Sequence, residues 1–273
     1  MKMGLWASAT RWGRASAICA FLLFGPAFAA NGEVLHAVYS VSLIGLPIGV
    51  AKVTADITSN SYAIDATGKL SGLATVISNS HGASAGKGAI VSGHIVPATF
   101  ATTATNSSMT RTIRMALAGN SVSGVDIEPP FDDKPDRVPL SDKDKKGIVD
   151  PLGALVIPAP AEGSPTSPGA CNRTIPIFDG YTRFDVALTY VGQRRVSAKG
   201  YSGPVAICAA RYVPIAGHRR DRPATKFMAE NKDIEIWLAP VGAGKVLMPF
   251  RVSLRTMMGT AVAEASEFSV GEK

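Results

Sequence analysis

Ala51-Lys52-Val53-Thr54-Ala55-Asp56-Ile57-Thr58-Ser59-Asn60-Ser61-Tyr62-Ala63-Ile64-Asp65-Ala66 is the stretch whose reading decides the fold class. Apolar Ala51, Val53, Ala55 and Ile57 alternate with Lys52, Thr54, Asp56 and Thr58. A period of two sets one series on a buried sheet face and the other in water. Ser59-Asn60-Ser61 has the composition of a turn. Tyr62, Ile64 and Ala66 then resume the alternation as far as Gly68. Upstream, Val34 to Leu43 is β-branched and aromatic and stops at Gly45-Leu46-Pro47. Together the three runs predict an antiparallel meander.

Residues 70–80 read two ways. Leu70, Leu73, Ala74 and Ile77 fit a helical period, whereas Val76 and Ile77 suit a strand, so a short helix or a twisted connection is expected. The following Gly82-Ala83-Ser84-Ala85-Gly86-Lys87-Gly88 has the look of a phosphate loop. It is one residue short between its glycines and lacks the hydroxyl residue after the lysine that would hold magnesium. We read it as a flexible or tightly turned connection. Strand signals return in Ala89 to Ser92, His94 to Thr103 and Thr110 to Leu117. Gly119-Asn120 turns the chain so that Val122 to Ile127 can come back as a hairpin partner.

Composition then changes. Glu128 to Lys146 is rich in Pro, Asp and Lys without a period, and reads as a solvated loop. Asp150 to Ile157 reads as a short helix, with Asp150 as N-cap, Pro151 at the first helical position and Pro158 ending it. Ala159 to Ala170, with three prolines and two glycines, is loop. The second half is again strand-like: Phe184, Val186, Leu188 and Tyr190 alternate, Tyr201 to Pro214 follows, and Ile234, Ile236 and Leu238 alternate. Val252 and Leu254 oppose Arg251, Ser253 and Arg255, and a last strand runs from Thr260 to Val270. A short helix fits after Pro223. The reading totals about ten to twelve strands and at most three short helices, with no regular helical crossovers, which argues against a parallel α/β fold. The expected architecture is mainly β: a large twisted antiparallel sheet, or an open barrel curled around a short helix, either of which protects its edges.

Residues 1–29 read as a secretory leader. Lys2, Arg11 and Arg14 form a positive start, Ala15 to Phe24 an apolar stretch too short to span a bilayer comfortably, and Ala27-Phe28-Ala29 a cleavage signature before Ala30. Cys19 lies inside the leader. Ile18 before it and Phe21-Leu22-Leu23-Phe24 after it argue against a lipid-attachment site. Residues 30–273 then form a single β-rich domain with a Pro/Gly-rich loop region at 128–173. The chain carries 28 basic and 21 acidic residues. Loss of the three leader cations leaves 25 against 21, a net +4, which gives no argument for nucleic-acid binding. No later apolar run reaches transmembrane length.

Export leaves two cysteines, Cys171 and Cys208. In an oxidising compartment two lone cysteines pair, and the bond would clip the Pro/Gly loop to the sheet edge. No C-x-x-C motif supports redox chemistry. His36, His81, His94 and His218 make no zinc-like spacing, and no cofactor is expected. No Gly-x-Ser-x-Gly elbow occurs, so no catalytic residue is assigned. Asp179-Gly180 suits a tight turn at a strand entrance. Beyond it, Arg183 and Asp185 share a strand face and could pair, with Arg211 or Arg251 on neighbouring strands as further members of an ion-pair network, structural or ligand-binding. His218, Arg219, Arg220 and Arg222 form the one cationic cluster. It is either an anion-binding patch or a solvated loop.

Several fragments occur together in order: Gly45-Leu46-Pro47-Ile48-Gly49, Gly72-Leu73, Asp150-Pro151-Leu152, Cys171, Phe178-Asp179-Gly180-Tyr181-Thr182-Arg183-Phe184-Asp185, Tyr201-Ser202-Gly203-Pro204, Cys208, Tyr212-Val213-Pro214-Ile215-Ala216-Gly217, Ile236-Trp237-Leu238 and Gly259-Thr260-Ala261. This series resembles the DUF3108 family of exported bacterial proteins, particularly its alphaproteobacterial members, across nearly the whole mature chain. Thr182 stands where members often carry Arg, which weakens the local cationic character. The resemblance implies a periplasmic β-rich protein without an assigned activity. More loosely, it implies a sheet wrapped around a helix like the lipoprotein-carrier fold of the LolA/LolB type.

The expected function is that of a periplasmic, non-enzymatic protein with no integral membrane segment after leader cleavage. Its curled sheet would offer a groove to an apolar or lipid-like ligand or to an envelope partner protein. The alternatives are a structural or scaffolding envelope protein, marked by an exposed apolar patch that could include Trp237, and an envelope-polymer hydrolase, which needs paired carboxylates or a nucleophile with its base.

Overall fold

In the computed structural model of the chain, residues 32–272 are described except 73–74 and 76–78. The leader with Cys19, and most of the ambiguous 70–80 stretch, lie outside the described residues. The first half is a continuous meander of β1 (Glu33–Leu43), β2 (Leu46–Ile57), β3 (Ser61–Leu70), β4 (His81–Val91), β5 (His94–Thr105), β6 (Thr110–Ala118) and β7 (Ser121–Glu128). The second half is another, made of β9 (Arg173–Phe178), β10 (Arg183–Ala198), β11 (Tyr201–Ala216), β12 (Ile234–Val241), β13 (Val246–Thr256) and β14 (Gly259–Glu272). Short β8 (Ile157–Pro158) adds to β13. Helix α1 (Pro223–Glu230) starts with Pro223 at its first turn, where a missing N–H costs nothing.

All fourteen strands belong to one antiparallel sheet in the order β7-β6-β5-β4-β3-β2-β1-β14-β13-β12-β11-β10-β9, with β8 off this path. The two meanders are joined where β1 pairs with β14, from Glu33 opposite Glu272 to Leu43 opposite Ala261. The alternating stretch Ala51–Ala66 forms the β2–β3 hairpin, with Ile57 opposite Tyr62. Ala55, Ile57, Tyr62 and Ile64 are buried, as the period of two requires.

Neither a barrel nor a sheet curled around a helix is formed, and the carrier-like architecture is corrected. The path of paired strands ends at β7 and β9, and among the described residues no ladder joins these two ends. Helix α1 has no buried residue. It lies against β11, where Arg211 Nη2 donates to the Ala229 carbonyl at 3.3 Å. The apolar face of the sheet is covered instead by segment 148–156, which holds no α-helix and whose Ile148, Val149, Leu152 and Val156 are buried. An α-helix is not needed where this apolar segment already supplies the covering side chains. Between the sheet's ends, residues 146–149 make single bridges, Lys146 to Ser121 and Val149 to Ile177.

The helix read over Asp150–Ile157 is reduced to one 3-10 turn, Gly153–Leu155. The residue flanking that turn is Leu152, not Asp150, although Asp150 Oδ1 accepts the N–H groups of Leu152 at 2.9 Å and Gly153 at 3.0 Å. Extended Val156 and the pairing of Ile157 with Leu247 then draw the chain into β8.

The glycine-rich stretch is also corrected: it is strand β4, not a turned connection. Its glycines serve close packing. A Cβ on Gly86 would stand 3.2 Å from Asp150 Oδ1, and one on Gly88 only 2.4 Å from the Val96 carbonyl oxygen.

One core cluster gathers the covered face, including Leu35, Tyr62, Phe250 and Phe268. Each such fully buried side chain contributes about 1.5–3 kcal/mol of transfer free energy. Rings of Phe250 and Phe268 lie 5.6 Å apart, with Tyr201 5.4 Å from Phe268. The Tyr39 hydroxyl satisfies itself on the Pro249 carbonyl at 2.6 Å. A second cluster surrounds Cys171, Cys208, Leu238 and Leu247. Because Leu247 belongs to this cluster and its neighbours Val246 and Met248 to the first, β13 is covered on both sides.

Candidate functional site

Where segment 147–158 passes the end of the sheet, it leaves a cleft of about 560 Å³. One wall is the turn between β4 and β5, another the segment itself, and the third the edge strand β9. Ile95, Val149, Val156, Ile157, Ile175 and Pro176 supply an apolar lining. Asn120, in the β6–β7 turn with φ 59°, braces the cleft. Asn tolerates this left-handed backbone better than most residues. Its amide donates to the Ile95 carbonyl at 2.7 Å and the Ile148 carbonyl at 3.2 Å. Ile148 N–H returns a bond to the Asn120 carbonyl at 3.0 Å.

Arg173, the first residue of β9, shares its strand face with Ile175 and Ile177 and lines this cleft. Its Nη2 donates to the Gly169 carbonyl at 2.7 Å. Nε is buried without a hydrogen-bond partner, and among the described residues the guanidinium enters no salt bridge. Burial pushes its pKa below the ordinary arginine value, but an arginine stays cationic across the physiological range. His94 lies on the exposed rim, and no carboxylate is among the lining residues.

The disulfide lies just before β9. Cys171 and Cys208 are bonded with a Cα–Cα distance of 5.5 Å. Cys208 lies opposite Tyr190 on β10 and Ile236 on β12, so the bond fastens the loop inside the sheet and not to its edge. Arg173 follows the bridge by two residues and is paired with Leu188 in the β9–β10 ladder.

The predicted ion-pair network is only partly assembled. Arg183 Nη1 and Asp185 Oδ1 are 2.6 Å apart, with side chains 12% and 24% exposed. Arg211 is occupied at the C-terminal end of α1. Arg251 belongs to a separate group, meeting Glu264 at 3.2 Å and Glu235 at 3.4 Å. It also lies over the Trp237 ring, as does Arg194. Trp237 is therefore covered and forms no exposed aromatic patch. The most exposed large apolar side chains among the described residues are elsewhere: Ile44 and Leu46 at the β1–β2 turn, and Met257 and Met258 at the β13–β14 turn.

His218, Arg219 and Arg222 of the cationic cluster line a second cleft, of about 550 Å³, together with Arg111, Phe131 and Tyr181, and Arg220 does not. It is less cationic than its sequence. Arg219 pairs with Asp136 at 2.9 Å. His218 has its pKa lowered by burial and then by Arg220. Arg220 and Arg222 are exposed. Arg111 lies over the Phe131 ring at 3.9 Å and donates to the carbonyls of Pro129 and Pro130. Nearby Asp179 closes the β9–β10 turn, accepting from Tyr181 N–H at 2.8 Å and Thr182 N–H at 2.6 Å, and burial raises its pKa. Among the described residues no three His, Cys, Asp or Glu side chains gather as a metal site, and no helix is long and apolar enough to cross a membrane.

The DUF3108 family profile, described as a protein of unknown function, matches residues 38–266. The chain belongs to the DUF3108 family. The match embraces both meanders, the disulfide and Arg173. No curated protein matches the chain. Among solved structures, it is similar to a protein from Brucella abortus described as a beta-barrel-like protein of domain of unknown function DUF1849. The TM-score is 0.48 at 8% identity, over 89% of this chain and 100% of that one.

Arg173 was not singled out from sequence. A lone arginine at a strand start carries no pattern, and its one signal was its place beside Cys171.

Proposed function

We propose that this DUF3108 protein is an exported periplasmic binding protein without enzymatic activity, and that it takes an apolar, lipid-like ligand in the cleft beside β9. The observation that carries this reading is the cleft itself. Its volume of about 560 Å³ falls within the range of small-molecule sites, and its lining is mostly apolar with a few polar groups. Export is supported by the leader-like residues 1–29 and by the disulfide, which persists in oxidising compartments. The test is native mass spectrometry of protein purified from the periplasm, combined with titration of a fluorescent apolar probe. The reading expects a copurifying small molecule, or a probe that binds with one-to-one stoichiometry. A bare monomer that binds no probe would sink it.

A second reading, docking of an envelope partner protein, is favoured by Ile44, Leu46, Met257 and Met258. They are 63–71% exposed on two turns whose strands are paired. Lysine substitutions at this tip would abolish such docking and leave probe binding in the cleft unchanged.

A further inference from the structure

Arg173 is a charge without its counter-ion. The cleft around it is walled by apolar side chains, contains no Asp or Glu, and opens to solvent past Thr174 and His94. One guanidinium nitrogen is held by the Gly169 carbonyl, which fixes the group's orientation, while Nε has no acceptor. A half-buried cation in such surroundings is under-satisfied, because a carbonyl offers a single dipole where a carboxylate or phosphate offers two oxygens and a full charge. Elsewhere in the molecule the less exposed arginines are compensated: Arg183 by Asp185, and Arg251 by Glu235 and Glu264. Arg137 is compensated by the carbonyls of Gly217 and Tyr181 and by the Tyr181 ring. Arg173 alone of these lies in an apolar cleft with room beside it.

We propose that the cleft selects an anionic amphiphile, its single carboxylate or phosphate head held by Arg173 and its hydrocarbon tail lying along Ile95, Val149, Val156 and Ile175. This rests on the cleft being a site for apolar ligands and adds the head-group chemistry. Two features fit it. The cation stands on the strand edge at the mouth, where a head group would remain partly hydrated, and the apolar residues lie on the sides. The Gly169 carbonyl, bound by Nη2, keeps the guanidinium oriented at that mouth.

The test compares three probes on the full chain: oleate, lysophosphatidate and oleyl alcohol, which has a chain of the same length and no charge. Binding is read by displacement of the fluorescent apolar probe at low ionic strength. Wild-type protein is expected to bind at least one of the anions about tenfold tighter than the alcohol, the size of one charged hydrogen-bonded contact. Whichever anion displaces the other identifies the head as carboxylate or phosphate. Arg173→Gln is expected to abolish the preference for the anions over the alcohol, with folding of the variant checked by its thermal unfolding. His94→Glu, at an exposed position on the rim, keeps Arg173 and is expected to cost the anions a similar factor by supplying an internal counter-ion. If the alcohol binds as tightly as both anions, or if Arg173→Gln leaves their ratio unchanged, the head-group assignment is overturned and the apolar cleft stands. If none of the three binds, both readings fall.

Discussion

Tyr62 and Asp150, 88 positions apart in the chain, meet in the core, where the Tyr62 hydroxyl donates to Asp150 Oδ2 at 3.3 Å. The contact joins the first meander to the segment that covers it. Asp150 is fully buried and accepts three hydrogen bonds, from Tyr62 and from the N–H groups of Leu152 and Gly153. Replacing it by Ala strands all three donors, and should destabilise the protein by about 2–4 kcal/mol in urea unfolding. Asn keeps an acceptor for the two N–H groups and should cost less.

The same residue predicts a pH dependence. Burial raises the Asp150 pKa above its usual 3.8, against the opposing pull of its hydrogen bonds. The folded state therefore keeps this proton to higher pH than the unfolded chain does. Its contribution to stability is greatest below the unfolded pKa and is lost as pH rises through the folded one. The stability advantage of wild type over Asp150→Asn should be largest near about pH 3 and shrink toward neutrality. Urea unfolding of both proteins across that range checks the sign, and an advantage that grows with pH would contradict it.

Gly86 and Gly88 should differ in their tolerance of alanine. At Gly88 the new Cβ meets backbone on one side and the Tyr62 ring on the other, 2.8 Å away, so the strand must shift. At Gly86 the contacts, 3.2 Å and longer, are to side chains of Asp150 and Leu152 that can give slightly. We expect about 3 kcal/mol for Gly88→Ala and about 1 kcal/mol for Gly86→Ala. Equal costs in parallel denaturant titrations would mean that segment 150–153 does not press on β4 as described.

Removing the disulfide, by reductant or by paired Ser substitutions at Cys171 and Cys208, should cost about 3–4 kcal/mol for a closed loop of this length. Thermal unfolding with and without reductant measures it. Because the bond also lies two residues before Arg173, probe affinity in the cleft should drop under conditions where the protein is still folded.

Secreted protein recovered from the periplasm should begin at Ala30, by intact mass and N-terminal sequencing. A product retaining Met1 would remove the leader reading.

Much of the sheet is legible because a half-buried strand writes its face into alternate residues. Ala51–Ala66 foretells the β2–β3 hairpin, Gly119-Asn120 the β6–β7 turn, and Pro223 the start of α1. Strand β4 is legible only at its end, from Ala89, and not over His81–Gly88. Its residues are small because Tyr62, Asp150 and Leu152 press against it, and those neighbours are distant in sequence. The arrest of the helix at 153–155 is hidden for a similar reason, since pairing of Ile157 with Leu247 overrides local propensity. Pairings can be misread as well as missed. The cationic run at 218–222 looks free in sequence only because Asp136, its partner, is 83 positions from Arg219. The openness of the sheet is a matter of which ends fail to pair, and alternation within a strand carries no information about that.

The union of β1 with β14 has a consequence for how the molecule comes into being. Until residues 259–272 are in place, the six-strand run from β2 to β7 ends at β1 with a bare row of hydrogen-bonding groups. Such a row is a template for any passing strand. Ladders that link the two extremes of a chain form late and slowly. The fourteen residues of β14 therefore act as a stopper for the nascent protein. A chain cut short of them would keep one meander and present its Glu33–Leu43 edge to its neighbours, so truncation would be recognised first as aggregation.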